Sequence, residues 1–111
     1  IMAFQVSKSG DVTVIDVEGQ LIVGNRQELK QTVLDELENG ESKFVVNFSE
    51  TGYIDSSGLG VLVSLSKKIR EQDGELRLAS LNEDLRTLFE LTKLDTLFTI
   101  ADSREEALDG L

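Results

Sequence analysis

Phe44-Val45-Val46-Asn47-Phe48 runs into Ser49-Glu50-Thr51-Gly52 and then Tyr53-Ile54-Asp55-Ser56-Ser57-Gly58-Leu59-Gly60. Apart from Asn47, the first segment is β-branched or aromatic, as expected of a strand covered on both faces. The strand is expected to end at Phe48, with Ser49 to Gly52 between it and the segment that begins at Tyr53. Asp55, Ser56 and Ser57 are all good helix N-caps, and beyond them Val61, Leu62, Leu65 and Ile69 recur at helical spacing. Lys67, Lys68 and Arg70 sit where cations suit the helix dipole, and Asp73-Gly74 stops the helix. A buried strand feeding an amphipathic helix is the repeating unit of a parallel α/β sheet.

The same reading extends in both directions. Phe4-Gln5-Val6-Ser7 alternates apolar and polar, Ser9-Gly10-Asp11 turns, and Val12 to Val17 is β-branched and apolar, which predicts an antiparallel hairpin. Gly19-Gln20-Leu21-Ile22-Val23-Gly24 reads as an extended connection. Asn25 with Glu28 three residues on predicts a capping box for a helix whose buried stripe is Leu29, Val33 and Leu37, ended by Asn39-Gly40. Downstream come a strand at Leu76 to Ala79, a helix capped by Asn82 with Leu85, Leu88 and Phe89 inward, a short strand Phe98-Thr99-Ile100, and a helix capped by Ser103 through Leu108. The predicted order is β-β-α-β-α-β-α-β-α. It implies an α/β fold with a mixed, mostly parallel sheet of about five strands and one antiparallel edge pair. With no linker or repeat, a single domain over residues 2–111 is expected; Ile1 reads as an addition ahead of a natural start at Met2.

Composition narrows the chemistry. The chain has 111 residues, 40% of them hydrophobic, enough for one core. No apolar run approaches the roughly 20 residues a membrane-spanning helix needs, and no secretory pattern is present, so a soluble cytoplasmic protein is expected. There is no His, Cys, Pro or Trp. Catalytic triads, thiol nucleophiles, the usual zinc sites and disulfides are therefore excluded, and neither metal nor cofactor is expected. Eleven Lys and Arg against 21 Asp and Glu give a formal charge of −10. Such a surface repels phosphate backbones and anionic lipid, so neither nucleic acid nor membrane insertion is expected; a basic protein partner would instead associate faster.

The functional candidates lie in Tyr53 to Gly60, because loops at the carboxyl ends of strands carry the sites of open α/β sheets. The plainest reading is structural: Asp55, Ser56 and Ser57 cap a helix. Gly58 and Gly60 let the helix pack closely, or let a partner approach its backbone. Ser56 and Ser57 also lie near unpaired N–H groups that tolerate a phosphate. A nucleotide cradle is disfavoured, since Gly58-Leu59-Gly60 lacks the third glycine of a dinucleotide fingerprint, Val63 standing there instead. A receiver-type phosphoaspartate at Asp55 would need an acidic pair and a late Lys. Val17-Glu18-Gly19 supplies one acid, and Ile100-Ala101-Asp102 supplies no Lys.

Tyr53-Ile54-Asp55-Ser56-Ser57-Gly58-Leu59-Gly60-Val61 resembles the signature of anti-sigma factor antagonists, the single-domain members of the STAS group. The similarity spans essentially the whole chain, including Gly19-Gln20-Leu21 and Leu88-Phe89 with Leu94 and Phe98. The resemblance implies a STAS fold, with helices packed mainly on one face of the sheet.

It also implies a non-enzymatic, phosphorylation-controlled switch. The acceptor would be Ser56, directly after the signature Asp, with Ser57 as runner-up. The partner surface would comprise Ile22, Asp55, Ser56, Ser57, Gly58, Leu59 and Gly60. Implied partners are a serine kinase that is also the anti-sigma factor, bound by the unphosphorylated form and released by the phosphorylated one, and a resetting serine phosphatase. Where many phosphorylated members carry Asp after Gly-x-Leu, this chain has Ile22, and Gln20 replaces the common Glu. That departure is the ground for an alternative, a non-phosphorylated STAS adaptor in a lipid-transport or stressosome assembly.

Overall fold

A computed structural model describes residues 3–111; Ile1 and Met2, and with them the expected natural start, lie outside the described residues. Strand β1 (Phe4–Ser9) turns at Gly10 and pairs antiparallel with β2 (Val12–Leu21). Helix α1 (Arg26–Glu38) leads to β3 (Lys43–Ile54), α2 (Ser56–Glu71) to β4 (Glu75–Ala79), and α3 (Glu83–Leu91) through a 3-10 turn to β5 (Thr99–Ala101) and α4 (Arg104–Leu108). The sheet order is β1-β2-β3-β4-β5, with every pair after the first parallel. Both the predicted element order and the antiparallel edge pair are borne out.

Strand alternation divides the apolar residues between two layers. Ile15, Val17, Phe44, Val46, Phe48 and Leu78 face Leu29 and Val33 of α1, Leu62, Leu65 and Ile69 of α2, and Leu85 and Phe89 of α3. Val12, Val14, Val45 and Ala79 form a smaller cluster with Ala107 of α4. Three helices therefore cover one face and the short α4 lies on the other.

Three local expectations are corrected. The strand does not end at Phe48: β3 continues through Ser49 to Gly52 as far as Ile54, opposite β2, which itself runs on through Gly19, Gln20 and Leu21. Two register shifts accommodate the extra β3 residues, and the buried Thr51 hydroxyl donates to the Val17 carbonyl at 2.7 Å. The extension reaches beyond β4, whose pairing with β3 ends at Asn47 and Ala79. Secondly, Asn25 forms no capping box with Glu28; its side chain accepts from the Ile22 amide at 2.9 Å and donates to the Gln20 carbonyl at 2.9 Å. Thirdly, β5 begins at Thr99, and Phe98 leaves the sheet to meet Phe89 edge-to-face at 6.0 Å. Burying both rings outweighs continuing the strand by one residue.

Candidate functional site

The extended β2 and β3 place their ends side by side, with Gln20 opposite Tyr53 and Leu21 opposite Ile54. Immediately beyond, Asp55 ties three segments together. Its backbone N–H donates to the Leu21 carbonyl at 3.1 Å. One carboxylate oxygen, Oδ1, accepts from the Gly58 amide and from the Ser57 hydroxyl, both at 2.7 Å, which makes Asp55 the N-cap of α2. The other, Oδ2, accepts from the Val23 amide at 3.1 Å. The Ser57 hydroxyl first, then the Gly58 amide, hold the Asp55 carboxyl below the ordinary carboxylate range; desolvation opposes them and the Val23 amide adds to the lowering.

The two serines consequently differ. Ser57 is half-buried and its hydroxyl is committed to Asp55. Ser56 is exposed on the first turn of α2, and its hydroxyl makes no hydrogen bond among the described residues. With three hydrogen bonds to its carboxylate and its basicity lowered, Asp55 is a poor general base. The loop thus offers a free alcohol beside a helix N-terminus.

The other expected partner residues separate into exposed and buried. Gly58 and Leu59 are buried. A Cβ on Gly58 would stand 2.5 Å from the Leu21 carbonyl oxygen and 2.9 Å from Ile54 Cγ2, so this glycine lets α2 start hard against β2 and presents nothing to a partner. Leu59 likewise belongs to the main core. Gly60 is exposed with open space where a Cβ would be, which leaves close packing unsupported as its role. Ile22 is half-buried and uses its backbone to start α1, while its neighbour Val23 is 66% exposed and Tyr53 is 58% exposed. From sequence, Ile22 and Val23 read either as core packing or as an exposed apolar patch; of the two, only Val23 is exposed. Among the described residues, no group of three or more Asp or Glu is placed to hold a metal, and no helix is long and apolar enough to cross a membrane.

The family model described as the STAS domain matches residues 3–107. The chain belongs to the STAS-domain family. A Thermotoga maritima protein described as an anti-sigma factor antagonist is 33% identical, and its crystal structure superposes with a TM-score of 0.90 over 96% of this chain and 92% of the other. The Bordetella bronchiseptica protein BtrV, described in the same terms, is 28% identical over 106 residues, 96% of this chain and 91% of its own. The anti-sigma-B factor antagonist of Staphylococcus aureus is 30% identical over 91 residues, 82% of this chain and 84% of its own.

The STAS fold inferred from the signature is thus the observed one, and relatives named as anti-sigma factor antagonists match along nearly the full length of the chain. Within this STAS domain the signature has a physical content: Asp55 caps and clasps, Gly58 permits close approach, and Leu59 anchors.

Proposed function

We propose that this STAS protein is an anti-sigma factor antagonist, a cytoplasmic protein-binding switch without enzymatic activity of its own, controlled by phosphorylation at Ser56. Unphosphorylated, it binds an anti-sigma factor that is also its serine kinase; phosphorylated, it releases that partner, and a serine phosphatase resets it. The observation that carries the reading is the contrast between the serines: Ser57 is bonded to Asp55, whereas the exposed Ser56 hydroxyl is available to a transferring phosphoryl group. The names of the full-length relatives support the choice of partner.

Phosphate on Ser56 would add about −1.5 to −2 charges. Repulsion from Asp55 and attraction to the α2 N-terminus oppose each other, so the free domain stays folded. At a protein interface the same phosphate would be desolvated with no cation built to receive it. A penalty of about 3 kcal/mol is more than a hundredfold in affinity. Release follows from a spoiled interface rather than from refolding.

Ile22, where many phosphorylated members carry Asp, favours a second reading, a constitutive STAS adaptor in a larger assembly. The intact mass after incubation with ATP and soluble serine kinases of the native host decides between them. One phosphate on the wild type, absent from Ser56→Ala, is the expected result. Modification persisting in Ser56→Ala would move the acceptor to Ser57. No phosphate on either, with a known substrate labelled in the same extract, would leave the adaptor.

A further inference from the structure

The two outer edges of the sheet are guarded differently. Strand β5 has three residues, too few to template a neighbour. Strand β1 has six, and it pairs with β2 in one continuous register without a bulge. Among the described residues no strand lies on its other side. Proteins blunt such an edge with bulges, proline or free charge, above all Lys. This chain has no Pro. The one charge on β1, Lys8, is bonded to the Thr13 hydroxyl at 2.8 Å and to the Glu36 and Glu41 carboxylates.

Pairing with β2 decides which backbone groups remain. The Glu18 amide donates to the Ala3 carbonyl at 2.8 Å, and Ala3 opposite Glu18 continues the β1–β2 register. Bonded and non-bonded pairs alternate along an antiparallel ladder, so Gln5, Ser7 and Ser9 turn their backbone groups to β2. Phe4, Val6 and Lys8 turn theirs outward. The side chains of these three share the helix-covered face, where Val6 is 46% exposed, and the neutral Gln5, Ser7 and Ser9 share the other.

A second copy of the same strand fits this edge. When two β1 strands pair antiparallel about a two-fold axis at Val6, Phe4 of each faces Lys8 of the other, Gln5 faces Ser7, and Val6 faces Val6. That register engages the outward groups of all three residues on both copies, and sliding the strands either way leaves some of them unpaired. It also covers the exposed valine, sets neutral polar side chains together and keeps the two lysines apart.

We infer that β1 is a self-association edge, through which two copies join their sheets into one about a two-fold axis. None of these residues lies in the loop around Ser56, so the inference stands apart from the functional reading. A single strand pair is smaller than the roughly 1,000 Å² of stable interfaces, so the dimer is weak and depends on concentration. Each copy carries a formal charge of −10, and no facing pair on β1 is an ion pair. Salt therefore strengthens the dimer by screening the repulsion between copies.

Sedimentation equilibrium over a wide range of protein concentration, at low and high salt, reads the association. The proteins are wild type, Val6→Lys and Leu91→Lys, the last making the same change of charge at an exposed residue on the final turn of α3. Val6→Lys sets two cations opposite each other at the axis and should weaken the dimer about tenfold, whereas Leu91→Lys should dimerise as wild type. Both side chains are exposed, so thermal melting confirms that each variant is folded. Amide hydrogen exchange at low and high protein concentration reads the place. Exchange should slow on concentration at Phe4, Val6 and Lys8 and stay unchanged at Gln5, Ser7 and Ser9, whose amides β2 already holds. A protein that stays monomeric at every concentration and salt overturns the inference. So does a dimer that Val6→Lys leaves intact, that weakens as salt rises, or whose newly protected amides lie elsewhere.

Discussion

The Val23 amide donates to Oδ2 of Asp55 at 3.1 Å, joining residues 32 apart in sequence. With the Asp55 backbone amide on the Leu21 carbonyl and Oδ1 on the first turn of α2, one residue fixes the end of β2, the start of α1 and the start of α2. The loop around Asp55 is therefore a single tied unit, and a perturbation at Asp55 is felt at Val23.

Asp55→Asn keeps the shape of the side chain but gives up the charge and one acceptor. The variant should melt several degrees lower at neutral pH. The sign of its pH dependence follows from the lowered carboxyl, whose first cause is the Ser57 hydroxyl. A carboxyl lowered on folding contributes stability that is fully present above its unfolded value, about 3.9, and is lost as pH falls through the folded value. Wild type should thus lose stability below about pH 4 more steeply than Asp55→Asn, with the curves converging in acid. Asp11, lowered mainly by its bond to Lys43 at 3.0 Å, acts in the same window and is common to both proteins. Melting from pH 2 to 7 checks it.

Ser56 and Ser57 should respond oppositely to truncation. Ser57→Ala removes a bond to Asp55 and should cost about 0.5–1.5 kcal/mol by urea unfolding. Ser56→Ala breaks no bond among the described residues and should lie within about 0.5 kcal/mol of wild type. Ser56→Asp should keep the far-UV circular dichroism of the native fold, because the added charge meets water and a helix N-terminus rather than a packed neighbour.

Most of the fold was legible because β-branched strands and capped amphipathic helices agree with the tertiary structure. Asn82 and Ser103 cap where expected, their side chains accepting from Leu85 and Glu106. The extension of β3 was not legible, since Ser-Glu-Thr-Gly has turn composition and becomes strand only by pairing with β2 more than thirty residues earlier. Asn25 misled for a related reason: its spacing to Glu28 fits a capping box, but the nearby Gln20 carbonyl and Ile22 amide claim the side chain. At the site, the cap was readable from local sequence. The Val23 link and the burial of Gly58 and Leu59 depend on contacts between distant segments.

Thr51 tests whether the β3 extension is held by its bulged register. Its hydroxyl is buried and donates to the Val17 carbonyl at 2.7 Å. Thr51→Val preserves shape and removes the donor, which should cost about 1–3 kcal/mol because a buried carbonyl loses its partner. Hydrogen exchange should show the loss concentrated in residues 18–21 and 50–54. Uniformly faster exchange would mean the extension has no separate stability.

Gly58 and Gly60 occupy successive turns of one helix yet should behave oppositely when replaced by alanine. At Gly58 the new methyl would stand 2.5 Å from the Leu21 carbonyl oxygen, which is backbone held by the Asp55 amide and cannot turn aside. Helix α2 must then lift from β2, and the overpacking should cost about 1–3 kcal/mol despite alanine's better helix propensity. At Gly60 nothing lies within 4 Å of the new methyl, so propensity acts alone and the variant should gain about 0.5–1 kcal/mol. The two unfolding curves should fall on opposite sides of wild type. A Gly58→Ala protein as stable as wild type would mean that α2 does not start against the Leu21 carbonyl, and equal destabilisation of both variants would mean that Gly60 is not open. A stable Gly60→Ala protein that binds its partner more weakly would assign that glycine to the interface, where a methyl group keeps the partner from the helix backbone.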